Sequence, residues 1–428
     1  MDQQQILALI IFGITIIAII LDVFDTTVLA LLGAAAMIFF KVIPIDNVMG
    51  YVSFNTLEVL VGMMLIVAVL KETGIFEFMA TFTAKACKGN TFKILICLGI
   101  ITAIFSAILD NVTTVLLMGP VTFYVTKKLK VNPIPFIMIE IFSSNIGGTA
   151  TLIGDPPNIM IGSASGLDFL SFIQNQLPIV VIILIVTMLL IYLNYKKKLN
   201  VKEEDVQEIM KLNPKEFITD KPLLIKGLII LIIVILGFIF EKQLGIESGI
   251  IAIIGACILL IVSKKKMSKV INDVEWTTIL FFFGLFILVG GLEETGIIKM
   301  LANFVLTYGH GNIILIMLML LWISAIVSAF LDNIPFVATI IPLIITLGDS
   351  GINTIPLWWA VSLGACLGGN GSIIGASANV ILSKISEKNG YKISFLQYLK
   401  IGFPLMIISI VLSTAYLMVK YLFNYKIY

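Results

Sequence analysis

Arginine is missing from this chain: all 28 basic residues are lysines. That removes the bidentate guanidinium fork that proteins favour for tight carboxylate or phosphate recognition. Histidine occurs once, as His310, and the four cysteines, Cys87, Cys97, Cys257 and Cys366, stand apart without CxxC spacing. A zinc site, a disulfide framework and a bound cofactor are therefore not expected. No GxxxxGK[ST] loop is present, so an ATPase, if one drives the protein, is a separate partner subunit. Charge is scarce, with 13% charged against 59% hydrophobic residues and a mean hydropathy of +1.09. This composition leaves no room for a sizeable soluble domain, catalytic or nucleic-acid-binding, and it describes a polytopic membrane protein.

What the chain does have is long apolar runs. About 20 residues are needed to cross a bilayer, which places spans near 5–21, 26–43, 54–71, 133–163 and 176–194 in a first half. In the second half they fall near 224–240, 247–263, 275–292, 355–383 and 400–419. The first run follows MDQQQ with no basic flank or small-residue cleavage site, so a retained helix is expected in place of a signal peptide. In each half a longer apolar segment, 92–127 or 313–347, is interrupted midway by Leu-Asp-Asn, as in a re-entrant hairpin. The halves also repeat in sequence. Lys71-Glu72-Thr73-Gly74-Ile75 matches Glu293-Glu294-Thr295-Gly296-Ile297, and Ser106 to Asn111 matches Ser328 to Asn333, both at an offset of 222. Five crossings per half, an odd number, orient the second half oppositely to the first. The expected fold class is an all-α polytopic membrane protein of two inverted-topology repeats, each with five spans, a re-entrant hairpin and a broken helix. The repeats cover 1–195 and 223–428 and are joined by a charged linker, 196–222.

Lysine placement gives an independent reading of orientation. With both termini outside, 23 of the 28 lysines fall in cytoplasmic segments, as the positive-inside bias demands of a plasma-membrane protein. Phe76 to Lys88 alternates apolar and polar faces and is expected to lie along the interface. The continuously apolar spans near 5–43 and 224–263 suit contact with lipid and with a second protomer, so a homodimer is expected.

Two stretches break the apolar pattern. Ser143 to Gly162 reads SSNIGGTATLIGDPPNIMIG, and Leu363 to Ile381 reads LGACLGGNGSIIGASANVI; 221 residues separate Gly147, Gly148, Gly154 and Asn158 from Gly368, Gly369, Gly375 and Asn379. A hydrocarbon core cannot satisfy free backbone groups, so such breaks persist only inside protein or beside a water-filled cavity. Half-helix N-termini there present N–H groups and a positive dipole end to a solute. The candidate substrate residues are Asn145, Gly147, Gly148, Thr149, Thr151, Asp155, Asn158, Gly368, Gly369, Asn370, Ser372, Ser377 and Asn379. The glycines suit close helix packing equally well.

Asp110, Asp155 and Asp332 fall at membrane depth, where each unpaired charge costs roughly 2.5–3.5 kcal/mol. Each can cap a half-helix, and each can bind a cation or proton. At the hairpin tips Ser106, Asp110, Asn111, Ser328, Asp332 and Asn333 supply the hard oxygens that Na⁺ takes, so they form the candidate Na⁺ or H⁺ sites. Glu140, acidic and without a counterpart in the other half, fits a proton carrier or a packing contact, and Cys366 fits a thiol-seeking solute or packing.

LDNVTTVLLMGP (109–120), NIGGTATLIGDPPNIMIG (145–162), FLDNIPFVATIIP (330–342) and LGGNGSIIGASANVI (367–381) resemble the ion transporter superfamily, in particular the branch of arsenite permeases (ArsB), sodium/proton antiporters (NhaD) and the melanosomal P protein. The resemblance implies a dimerising scaffold, a moving transport domain that carries hairpins and broken helices, and elevator-type transport. It implies secondary transport of a small inorganic solute, arsenite or antimonite efflux first, with Na⁺/H⁺ antiport as the alternative. The related dicarboxylate symporters carry Ser-Asn-Thr at each hairpin tip, whereas this chain has Asp110-Asn111-Val112 and Asp332-Asn333-Ile334, and paired carboxylates repel a dianion. A channel is disfavoured by the repeat, and a membrane enzyme by the lack of any nucleophile–base set.

Overall fold

A computed structural model describes residues 2–21, 24–196, 203–309 and 311–422. Part of the linker, 197–202, and His310 therefore lie outside the described residues. Among the described residues every regular element is helical. The first half runs α1 (Gln3–Ile20), α2 (Thr26–Phe39), α3 (Phe54–Lys71), α4 (Ile75–Ala86), α5 (Thr91–Leu109), α6 (Asn111–Lys128), α7 (Ile134–Thr149), α8 (Pro156–Ser165) and α9 (Phe169–Tyr195). The linker holds α10 (Glu203–Lys211). The second half follows with α11 (Lys221–Ile239), the short α12 (Glu241–Leu244), α13 (Ser248–Ser263), the short α14 (Met267–Val270), α15 (Trp276–Glu294) and α16 (Ile297–Gly309). It ends with α17 (Ile313–Phe330), α18 (Asn333–Asp349), α19 (Ile355–Gly368), α20 (Ser377–Lys388) and α21 (Phe395–Leu422).

Eight of these helices, α1, α3, α5, α9, α11, α15, α17 and α21, are long and apolar enough to cross a membrane. One span expected from the sequence comes out shorter. In place of 26–43, α2 has 14 residues, while α13, with 16, matches the expected 247–263 to within a residue. At 1.5 Å per residue neither reaches the ~30 Å of a hydrocarbon core. Each is stopped by a lysine in the left-handed region, Lys41 at φ 56° and Lys264 at φ 55°, and Pro44 then carries the first chain away extended.

The two halves interlock through exchanged partners. Helix α2 packs on α15 and α3 packs on α13, so each half gives its second helix to the other half's third. The hairpin helix α5 lies against α7, as α17 lies against α19. The second hairpin legs cross over: α6 packs on α20, and α18 on α8. The amphipathic α4 joins α3 to the first hairpin and rests on α6 and on the linker turn at Pro214–Phe217, with Thr219 bonded through its N–H to the Thr73 carbonyl (3.1 Å).

Candidate functional site

Both hairpins turn at an aspartate that caps the returning leg. Asp110, at φ 101°, accepts from the Thr113 N–H and hydroxyl, both at 2.7 Å. Asp332 accepts from the Ile334 N–H at 3.1 Å and from the Ser377 hydroxyl at 2.6 Å, which ties the second tip to the second break. The capping role raised from the sequence is therefore realised at both tips. Asp155 differs. It sits at the N-terminus of α8 with no capping bond, is fully buried, and accepts from the Asn333 amide at 3.4 Å. The corresponding position of the second break is Ala376.

The breaks are made by sequence and mended by side chains. Proline has a fixed φ and no N–H, so Pro156-Pro157 suits the first turn of α8 and cannot continue α7. The carbonyls left free at the end of α7 are taken by the Asn158 amide, which donates to Gly148 (3.3 Å), Thr149 (3.3 Å) and Thr151 (2.9 Å). Asn379 does the same in the second break, donating to Gly369 (2.7 Å) and Ser372 (2.9 Å). The Asn158 oxygen accepts from the Ser362 hydroxyl at 2.6 Å and the Cys366 thiol at 3.5 Å. These two asparagines, expected among the solute ligands, are thus committed to bracing the backbone. Asn145 joins everything at the centre: it donates to Asn370 (2.9 Å) and Asn379 (2.8 Å) and accepts from Asn111 (3.2 Å).

The glycines and small hydroxyls hold hairpin against break. A methyl group on Gly147 would lie 2.2 Å from the Ala103 carbonyl oxygen, and one on Gly368 2.7 Å from that of Ala325. Gly148 and Gly154 face one another as closely, as do Gly369 and Gly375. Ser106 donates to the Ser144 carbonyl (2.5 Å), Ser328 to that of Ala365 (2.7 Å), Thr151 to that of Ala107 (2.5 Å), and Ser372 to that of Ala329. Thr149 donates back to the Asn145 carbonyl at 2.7 Å.

The predicted cation set is therefore only partly assembled. A chamber of about 620 Å³ opens where α1, α2, α3 and α15 meet the two hairpin tips and the second break. Of the predicted residues Asp110, Asp332 and Ser377 line it, while Ser106, Asn111, Ser328, Asn333 and the central asparagines do not. Three charged residues absent from the sequence-based set complete the lining: Asp25, Glu275 and Lys384. Asp25 caps α2, bonding the Thr27 N–H at 2.9 Å, and Glu275 opens α15 with the Thr278 hydroxyl 3.3 Å away. Both stand at the foot of an apolar run, where an acid has the signature of a cap and nothing in the pattern marks a chamber. Among the described residues no three His, Cys, Asp or Glu side chains gather as a metal site.

Glu140 is fully buried, accepts the Thr122 hydroxyl on one carboxyl oxygen, and has no partner on the other among the described residues. Cys366 is also fully buried and does not line the chamber. Cys87 and Cys97, treated as isolated in sequence, stand with their sulfurs 3.6 Å apart.

Helices of membrane-crossing length, paired broken helices and a charged chamber at the hairpin tips define a multi-pass membrane transporter. The chain belongs to the citrate transporter (CitMHS) family, whose profile matches residues 16–364. It is 40% identical to a 46 kDa membrane protein of Mycobacterium leprae, over 98% of this chain and 99% of that one. It is 39% identical, with the same coverage, to an uncharacterized transporter of Mycobacterium tuberculosis. To the human P protein it is 32% identical over 94% of this chain, which spans 58% of that longer protein. The crystal structure of the YdaH transporter of Alcanivorax borkumensis has the same fold, with a TM-score of 0.61 over 98% of this chain and 99% of that one at 12% identity.

Proposed function

We propose that this protein is a secondary active transporter in which Asp110 and Asp332 bind the coupling cation or proton while a small inorganic solute passes through the chamber between them. The observation that carries the reading is the chamber itself: carboxylates from both hairpin tips face one space, joined by Asp25 and Glu275 and opposed by Lys384. Four acids to one lysine give the chamber oxygens that can take a cation or a proton. The two capping aspartates are already held by N–H and hydroxyl donors, so binding and release of a cation or proton need not unfold either tip. Arsenite, uncharged near neutral pH, meets no repulsion there and is the first solute to try. Na⁺/H⁺ antiport is the second reading, favoured by the same acid surplus, since the aspartates would then be the whole transport site. A free citrate trianion, the solute in the family's name, would need a bound cation to enter an acidic chamber that contains no arginine. The exchanged pairing of the halves fits two inverted repeats, with the hairpins and broken helices moving as one unit against α1–α3 and α11–α15 in a homodimer.

Uptake and counterflow in proteoliposomes, with arsenite, Na⁺, citrate and divalent-cation–citrate as separate arms, tests the reading against Asp110→Asn and Asp332→Asn. Asn is about as good a cap as Asp, so both variants should fold and reach the membrane yet lose gradient-driven flux or its pH dependence. Undiminished, normally coupled flux in both variants would reduce the two aspartates to caps.

A further inference from the structure

We infer that Cys87 and Cys97 form a dithiol site that captures a soft, trivalent thiophile of the arsenic(III) class, at a place separate from the transport chamber. The two sulfurs are free thiols 3.6 Å apart. Two thiolates around a tetrahedral ion at a metal–sulfur bond of about 2.3 Å are separated by roughly 3.8 Å, so the pair already has the bite of a chelate. A disulfide would need the sulfurs at about 2.05 Å. Among the described residues no third or fourth Cys, His or acid joins them, which fails a closed zinc site and suits a pyramidal centre whose third position is an organic group or hydroxide.

The pair is pre-organised by backbone. Cys87 ends α4 with its N–H on the Thr83 carbonyl (2.9 Å), and the Gly89 N–H returns to the Ala84 carbonyl (3.2 Å) with Gly89 at φ 68°. Asn90 then donates to the Cys87 carbonyl (3.0 Å) and caps α5 through the Lys93 N–H (3.0 Å). Cys97 follows on α5, so four residues of tightly bonded turn fix one thiol against the other, and little ordering entropy remains to oppose chelation. Both thiols are half-buried and within reach of a reagent, while Cys257 stands alone and exposed and Cys366 is sealed inside. Burial and the neighbouring Cys97 thiol push the Cys87 thiol up. Capture accommodates that: with an organoarsenic(III) oxide two S–H bonds break, two As–S bonds form, and the oxygen leaves as water with both protons. Arsenic stays trivalent and no electrons are exchanged. Because α4 is the arm between α3 and the first hairpin, a closed clasp should also slow transport. That consequence rests on the transport reading above.

The test uses the purified full chain and phenylarsine oxide at one equivalent, read by intact mass. The wild type and Cys257→Ser should each carry one bridging phenylarsenic that survives excess monothiol and is stripped by a small dithiol. Cys87→Ser and Cys97→Ser should each lose it. An adduct that persists in either serine variant, or none in the wild type, overturns the site. Flux is measured in parallel, with at least a fivefold fall expected in wild type and none in the serine variants. Unchanged flux with the adduct in place overturns the clasp and leaves the binding site standing.

Discussion

Replacing Asn145 by alanine should be among the most damaging single changes in the protein. Its amide joins the first break, the second break and a hairpin tip. Removing it strips the partners from the Asn370 and Asn379 carbonyl oxygens and from the Asn111 amide nitrogen, in surroundings where all four asparagines are at most 2% exposed. Among the described residues the Asn111 oxygen has no partner even before the change, so that side chain would lose its last one. Each buried orphan costs about 1–3 kcal/mol, and three set a range of roughly 3–9 kcal/mol before relaxation. Alanine leaves space into which the neighbours or a water can settle, which brings the expected loss to about 3–5 kcal/mol. Asn145→Asp should be no milder, because it keeps the acceptor for Asn111 but turns a carboxylate toward two carbonyl oxygens. The assay is reversible unfolding in mixed micelles, run as a double-mutant cycle with Asn379→Ala. Residues sharing a hydrogen bond couple by about 0.5–3 kcal/mol, so the double variant should be less destabilised than the sum of the singles. A loss below about 1 kcal/mol together with strict additivity would show that this amide does not hold the two breaks together.

Three further predictions test other parts of the structure. Gly154→Ala and Gly375→Ala place a methyl group 2.6 Å from the Gly148 carbonyl oxygen and 2.7 Å from that of Gly369, against backbone that cannot rotate away. Each should cost about 1–3 kcal/mol and lower the melting temperature, and unchanged melting of both would contradict the close approach. Asp168 caps α9 through the Ser171 N–H (2.9 Å) and pairs with Lys242 (2.9 Å); burial works to raise its pKa, but these bonds outweigh it and hold the group below its ordinary value. A depressed pKa stabilises the fold above the unfolded value of about 3.9 and is lost as pH falls through the folded value. Asp168→Ala should therefore cost about 1 kcal/mol at neutral pH, with a gap that closes in acid; a gap independent of pH would exclude the carboxylate as its source. A cysteine at the exposed Lys215 in the linker should escape an impermeant thiol reagent in intact cells and react in inverted vesicles, and labelling in intact cells would reverse the proposed orientation.

Much of this architecture was legible because a membrane chain advertises its backbone needs. Apolar runs, Pro156-Pro157, the paired glycines and the repeated Leu-Asp-Asn placed the helices, both breaks and both hairpin tips, since local sequence alone decides where a helix can continue without water. Capping by Asp110 and Asp332 was legible for the same reason. Tertiary structure decided which polar groups still face open space. Asn158 and Asn379 turned inward to the carbonyls of their own breaks, and Ser106 and Ser328 spent their hydroxyls on neighbouring helices, leaving Asp110 and Asp332 at the chamber. Asp25, Glu275 and Lys384 reached that chamber from elements remote in sequence, and α4 and α5 folded Cys87 onto Cys97. The sequence by itself determined where backbone must break and which residue types could mend it. Which of those residues remained free for a solute depended on contacts between the halves, because one side-chain amide can be a brace or a ligand and only the neighbours packed around it settle which.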